Sequence, residues 1–267
     1  MNFEKKNLNI KKCYSSCNFL FLFLITLLQV SFDYCVSCNN FYIINDYQKF
    51  YTNIETSFNY LENKFKRILV LFDIDDTITY CQNNIAGGRF NFYDAIQLLK
   101  MGGNPIKKAS LIWQNNKRTL IQDPIQKIIE FYKNKKNTSV VGLTKSFSKN
   151  FGIIKDFPKA RIDELKGWNI VFSEENITKN NNFYFSLKNF SLKKIFYNNP
   201  CFREGIIFTN QLNKGDVFDS FCDYMEELPD CIIIFDDNEK NIKNIEKVAA
   251  SKNIPIFSYQ CIIKKNE

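Results

Sequence analysis

Histidine does not occur anywhere in this chain of 267 residues, and that one absence removes whole classes of chemistry. No Ser-His-Asp or Cys-His nucleophile can be assembled, no imidazole can hold zinc, and no histidine can act as general base. Any hydrolysis must run on carboxylates, lysines or a metal. Apolar runs long enough to span a membrane are lacking as well. The clearest, Phe19 to Val30, covers about twelve residues where a spanning helix needs about 20. Cysteine is not scarce, yet its spacing supplies no framework. Of nine cysteines, Cys13, Cys17, Cys35 and Cys38 fall in the first 38 residues, leaving Cys81, Cys201, Cys222, Cys231 and Cys261. An odd number leaves one thiol without a partner in the chain, and Cys222 and Cys231 read as small core residues. Internal repeats and arginine-rich blocks are missing too.

Residues 1–38 read as a targeting segment. Lys5, Lys6, Lys11 and Lys12 precede the apolar stretch, and serine and cysteine follow it, the order of a secretory signal. An uncleaved anchor formed by residues 19–30 is the alternative, with lipid attachment at Cys38 or a buried N-terminal helix as further ones. The protein is accordingly expected to be exported: periplasmic, secreted or held at a membrane by residues 19–30. Residues 39–267 suffice for one substantial domain with an insert, without cysteine staples. Net charge is +8, and four lysines against Glu4 and Asp33 place two of those charges in the leader. The remaining lysines are mixed with asparagines, as at Lys133–Lys136 and Lys179–Asn182. That pattern is a solvated face, and no nucleic-acid partner is expected.

What the chain does have is concentrated in residues 69–78, LVLFDIDDTI. The apolar start is a buried strand, and it runs into Asp73, Asp75 and Asp76 beside Thr77. A parallel strand is buried on both faces, so carboxylates collected at its C-terminal end require a reason, and metal binding supplies one. Three further pieces follow in order. Val140 to Leu143 is a second strand, ending in Thr144. Lys214-Gly215 stands between a strand-like Ile206 to Thr209 and a helix-like Val217 to Met225. Ile232 to Phe235 is another strand, ending in Asp236-Asp237. Open α/β sheets build their sites from such strand ends.

The organisation between these pieces is coarser. Tyr47, Phe50, Tyr51, Ile54, Phe58, Leu61 and Phe65 lie on one stripe of a helix over residues 46–65. From Tyr80 to Gln122 the glycine pairs 87–88 and 102–103 mark turns, with short helical stretches near Tyr93 to Lys100 and Ile106 to Asn115. Asp123-Pro124 opens a helix, the aspartate as N-cap and the proline at its first position. A helix is predicted over Phe157 to Leu165 and a short strand over Asn169 to Phe172. Residues 173–204 fit no single period and are taken as a loop or hairpin with a short helix. Asn238 caps a helix carrying Ile242, Ile245 and Ala249, and Ile254 to Phe257 forms a terminal strand.

The ordered set Asp73-x-Asp75-x-Thr77, Thr144, Lys214 and Asp236-Asp237 resembles the four motifs of the haloacid dehalogenase-like (HAD) superfamily. The helix before the first strand, Phe90-x-Phe92-Tyr93, Lys214-Gly215 and Phe235-Asp236-Asp237-x-x-x-Asn241 further resemble a bacterial, signal-bearing branch of unknown function (DUF2608-like). The resemblance spans residues 44–259. It implies an α/β fold, a HAD-like Rossmannoid three-layer sandwich with a parallel central sheet and a small C1-type cap insert at about residues 80–122. It also implies a Mg²⁺-dependent phosphomonoester hydrolase acting on a phosphorylated small molecule or other phosphoester. In that family's terms Asp73 is the nucleophile and Asp75 the general acid and base. Thr144 and Lys214 contact the phosphoryl group, and Asp73, Asp75 (through its backbone carbonyl), Asp236 and Asp237 hold Mg²⁺. Thr77 stabilises the turn. Arg89, Phe92, Tyr93 and Lys145 are the candidate substrate contacts, although Lys145 stands where similar proteins often carry arginine. Phe90 and Trp113 face the substrate or pack the cap. The alternatives are a non-catalytic binding protein on a HAD-like scaffold and a phosphotransferase using the same aspartyl-phosphate.

Overall fold

Ile68–Phe72 is an unbroken apolar run, and it forms a strand, β2, in which every residue is buried. Its odd and even positions serve different faces: Ile68, Val70 and Phe72 join one core, Leu69 and Leu71 the other. Burial on both faces is why a parallel strand loses the polar alternation of an exposed one. The structure is a computed structural model that describes residues 40–81, 97–173, 177–188 and 199–263.

Around β2 the described strands are β1 (Asn40–Ile44), β3 (Thr79–Tyr80), β4 (Thr119–Leu120), β5 (Thr138–Thr144), β6 (Asn182–Tyr184), β7 (Cys201–Arg203), β8 (Ile206–Phe208), β9 (Cys231–Asp236) and β10 (Ile256–Cys261). The α-helices lying wholly within the described residues are α1 (Tyr47–Lys64), α2 (Pro105–Asn115), α3 (Pro124–Lys133), α4 (Phe157–Lys166), α5 (Lys214–Phe221) and α6 (Glu239–Ser251). The main sheet runs β1-β10-β9-β2-β5-β8-β7-β6. Pairings from β1 to β8 are parallel, and β7 and β6 are added antiparallel beyond β8. One face is covered by α1, α3 and α4 through Ile54, Phe58, Ile128 and Ile162. The other is covered by α5 and α6 through Val217, Phe221, Ile242 and Ile245. The result is an alternating α/β, Rossmannoid arrangement of three layers with a largely parallel sheet. On the first face a ladder of rings crosses three strands: Phe72 stacks on Phe235 at 4.4 Å and Phe235 on Tyr259 at 4.8 Å.

The chain leaves β2 in one direction, through β5 to β8, and returns across β2 to β9 and β10. The reversal falls between β2 and β9. Connections diverge from the two strands there, and it is beyond the carboxyl ends at such a reversal that open α/β sheets take ligands.

Between β2 and β5 the antiparallel pair β3–β4 closes the base of an insert. In its described part, α2 is capped by the Asn104 side chain, which accepts from Lys107 N–H. Ala109 and Trp113 pack there with Leu98, Phe151 and Phe157 in a small separate core. The predicted helix near Tyr93 lies partly outside the described residues, and Phe90 and the leader 1–38 lie wholly outside them.

Several local expectations need correction. Asn169 to Phe172 is not a strand. Asn169 turns left-handed at φ 56°, and the segment is tied to β5 by hydrogen bonds from Ser173 N–H to Val140 O and from Val140 N–H to Ser173 Oγ, without a ladder. Asp123 does not cap α3: its backbone is already helical and its side chain makes no cap bond. The terminal strand begins later and runs to Cys261, and β1 was not foreseen, since Phe41, Tyr42 and Ile43 are all exposed. The five described cysteines are free and buried, and burial pushes the thiols of Cys201, Cys222 and Cys231 up to about 12. No described helix is long and apolar enough to cross a membrane.

Candidate functional site

Asp73 follows the last residue of β2, and β9 ends on Asp236 with Asp237 next. Asp73 N–H donates to Phe235 O at 2.8 Å, which extends the strand pairing by one step and fixes where the Asp73 side chain leaves the sheet. Asp73, Asp236 and Asp237 each offer an oxygen within 4.8 Å of the others. Asp73 and Asp236 are buried, at 6% and 1% exposure. Asp237 is held by its own backbone: its N–H donates to Thr77 Oγ1 at 3.0 Å and its carbonyl accepts from Gln260 Nε2 at 3.2 Å. Tyr47 O–H donates to Thr77 O at 2.9 Å, so α1 secures the turn that Thr77 stabilises. Asp76 occupies that turn at φ 65°.

Lys214 reaches the same point from the other face. It is the first residue of α5, whose N-cap Asn213 accepts from Gly215 N–H at 2.8 Å. Its ammonium lies 2.6 Å from Asp73 Oδ1 and 2.7 Å from Asp236 Oδ2. The helix can sit this close because residue 215 is glycine. A Cβ there would meet the Asn244 carbonyl of α6 at 2.8 Å. Asp236 is further fixed by Asn238 N–H at 2.9 Å and Asn241 Nδ2 at 3.0 Å.

Burial, then the charge of Asp236, holds the Asp73 carboxyl well above the usual aspartate range, against the pull of Lys214. Burial opposes the charge on Lys214, but Asp236 and Asp73 outweigh it and raise its pKa. Three carboxylates against one ammonium leave two negative charges when all are ionised. The donors are hard oxygens, so the cluster is chemically able to hold a divalent cation.

Asp75 points elsewhere. Its Oδ1 accepts from Arg161 Nη2 at 2.6 Å, and its Oδ2 accepts from Thr144 Oγ1 at 3.0 Å and Ser146 Oγ at 3.4 Å. Thr144, at the end of β5, thus stands beside Asp75, and it accepts from Ser146 N–H at 3.0 Å. Lys145 is half-buried on the same connection; burial and then neighbouring Lys214 lower its pKa. Arg89, Phe92 and Tyr93 lie outside the described residues. Trp113 packs against Phe157 and beneath the Arg118 guanidinium. A recess of about 890 Å³ opens at the opposite, amino-terminal edge of the sheet, around Lys66, Arg67 and Thr138, and no residue of this cluster lines it.

Two participants were not foreseen, Arg161 and Ser146. Arg161 is wholly buried, and a signal for it exists. It sits four residues from both Phe157 and Leu165, on the stripe of α4 that faces the core. Ser146 carried no comparable mark.

A family model described as "Protein of unknown function (DUF2608)" matches residues 51–267. A Chlamydia trachomatis serovar D protein named "Putative outer membrane protein" is 35% identical over 57 residues, 21% of this chain. The matched stretch spans only 22% of that relative's own length. No solved structure matches.

Proposed function

The chain belongs to the DUF2608 family, and from that premise we propose that it is a Mg²⁺-dependent phosphomonoester hydrolase on a HAD-like scaffold, working through an aspartyl-phosphate on Asp73. The carrying observation is the contact of Lys214 with both Asp73 and Asp236, within a cluster of three carboxylates at the reversal of the sheet. An isolated metal site has no need of a lysine between its ligands. A phosphoryl site uses one, to draw the nucleophile toward its ionised form and to face phosphate charge.

Asp73, Asp236 and Asp237 would hold Mg²⁺, with the Asp75 backbone carbonyl as the further ligand. The ion supplies charge compensation for the phosphoryl oxygens. An Asp73 carboxylate oxygen bonds to phosphorus as the ester P–O bond breaks, and Asp75 gives its proton to the departing alkoxide. Water then bonds to phosphorus, its proton passing to Asp75, while the bond to Asp73 breaks and phosphate leaves. Lys214 faces the phosphoryl oxygens, and Lys145 approaches from the connection that begins at Thr144, whose hydroxyl is turned to Asp75. The insert at about residues 80–122 would be the cap, and Arg89, Phe92 and Tyr93 are its proposed substrate contacts. Residues 1–38 would direct export ahead of the domain at 39–267, and the name of the chlamydial relative supports an exported protein.

The second reading, a binding protein on the same scaffold, draws on Asp75, whose carboxylate is held at both oxygens by Arg161, Thr144 and Ser146. The purified protein is expected to release phosphate from p-nitrophenyl phosphate with Mg²⁺ and not with a chelator, and Asp73→Asn is expected to lose that release. Failure across a broad phosphoester panel would favour the binding protein. Alcohols that compete with water for the phosphoryl group would favour a phosphotransferase.

A further inference from the structure

Resting on the hydrolase reading, we propose that Arg161 is the positioning residue for Asp75, and that an ion chain through Glu164 and Arg118 carries this positioning from the insert. The Arg161 guanidinium donates through Nη2 to Asp75 Oδ1 and to Thr79 Oγ1, each at 2.6 Å, and through Nη1 to Glu164. Its donors are a rigid planar fork, so partners on two of its nitrogens fix the plane and the direction in which Asp75 is held. From the other side Thr144 and Ser146 hold Asp75 Oδ2. The carboxylate is therefore clamped at both oxygens. Restraint of this kind holds an acid in one place and orientation, which proton transfer to a leaving group requires.

Stability alone is a poor reason for this residue. The stripe of α4 around it is apolar, with Phe157, Ile162 and Leu165 buried, and exchanging a buried ion pair for packed apolar side chains is often neutral or stabilising. Arg161 Nε has no partner, a cost the arrangement bears. What the arginine does provide is a path. Glu164 joins it to Arg118 Nε. Arg118 donates to Trp113 O at 3.2 Å and lies over the Trp113 ring at 3.9 Å. Trp113 belongs to α2, Thr79 opens β3 and Arg118 immediately precedes β4, at the base of the insert. A shift of α2 therefore moves Arg118, Glu164 and Arg161 in turn, and Asp75 with them.

The test compares an ester that needs a proton on its leaving group with one that does not. Parent, Arg161→Met, Arg161→Lys and Glu164→Gln are assayed with Mg²⁺ on an alkyl phosphate and on p-nitrophenyl phosphate, with melting curves to confirm folding. Arg161→Met is expected to lower kcat on the alkyl ester by about 100-fold, the usual scale of a general acid. On the aryl ester the loss is expected to stay below about 10-fold, because nitrophenolate leaves without a proton. Arg161→Lys should recover part of the alkyl activity, and Glu164→Gln should show the same selective loss to a smaller degree. If Arg161→Met does not fold, the other two substitutions carry the comparison. Equal loss on both esters, or none, overturns the positioning role and leaves the hydrolase standing. A parent that hydrolyses neither ester removes the hydrolase and this inference together.

Discussion

At the scale of the residue, Lys214 carries the balance of charge. It is 1% exposed and lies within 2.7 Å of carboxylates from β2 and β9. Replacing it with methionine keeps much of the volume and leaves buried carboxylates uncompensated, a change that costs about 3–5 kcal/mol when one partner of a buried pair is removed. Urea unfolding of Lys214→Met without divalent ions should show that loss. Added Mg²⁺ should return part of it, because the two cations would serve the same acids. A loss unaffected by Mg²⁺ would argue that the carboxylates do not share an ion. Asp73 and Asp236 were legible in the sequence because charge at the end of an apolar run is conspicuous. Lys214 was legible only as one member of an ordered set. Arg161 was hidden, since it stands among Lys159, Asp163, Glu164 and Lys166 in a helix that looks solvated, and only its register with Phe157 and Leu165 sets it apart.

At the scale of the element, strands buried on both faces were easily read and half-exposed ones were not. β2, β5 and β9 announce themselves as apolar runs. β1 presents Phe41, Tyr42 and Ile43 partly to solvent; its aromatic and β-branched residues favour a strand, but it shows no apolar–polar alternation to mark which face is buried. Asn169–Phe172 has the composition of a strand, and Ile170 and Phe172 are buried. Its left-handed start and its brief meeting with β5 leave it without a ladder. Capping was read correctly at Asn238 and wrongly at Asp123, because a residue already in helical conformation cannot turn its side chain onto the next free N–H groups. The close approach of α5 to α6 was not legible at all, and it yields a prediction of unusual sign. Within a helix, glycine to alanine ordinarily stabilises by about 0.5–1 kcal/mol. At Gly215 the new Cβ would press on Asn244 O, Cβ and C at 2.8, 2.9 and 3.0 Å, two of them backbone atoms with little room to yield. Gly215→Ala should instead destabilise by about 1–3 kcal/mol, as overpacking does. It should also reduce phosphate release, because Lys214 is the preceding residue. A stabilised variant in thermal or urea unfolding would show that the two helices separate freely and that Lys214 is not held by their contact.

At the scale of the molecule, the order of strands does what no single element can. Parallel pairing of β2 with β9 brings Asp73 beside Asp236 and Asp237, and the ring ladder Phe72–Phe235–Tyr259 fixes that pairing from below. The sequence revealed which residues end strands. It did not reveal which strands are neighbours, because pairing is settled by the packing of both faces and not by any local pattern. A cation shared between these strand ends has a global consequence: an unfolded chain holds its acids far apart and cannot present the same site. Binding to the native state alone stabilises by about 2.7 kcal/mol at a hundredfold excess over the dissociation constant. In a domain of this size that is an upward shift in melting temperature of about 5–10 °C. The shift should grow with Mg²⁺ concentration and disappear in Asp236→Asn, which keeps the size of the side chain and one acceptor oxygen and removes the charge. Sodium at matched ionic strength should not reproduce it, since screening acts on exposed charges far more than on buried ones. An equal shift in the parent and in Asp236→Asn would mean that Mg²⁺ acts at the surface, and the shared ion at the reversal of the sheet would have to be abandoned.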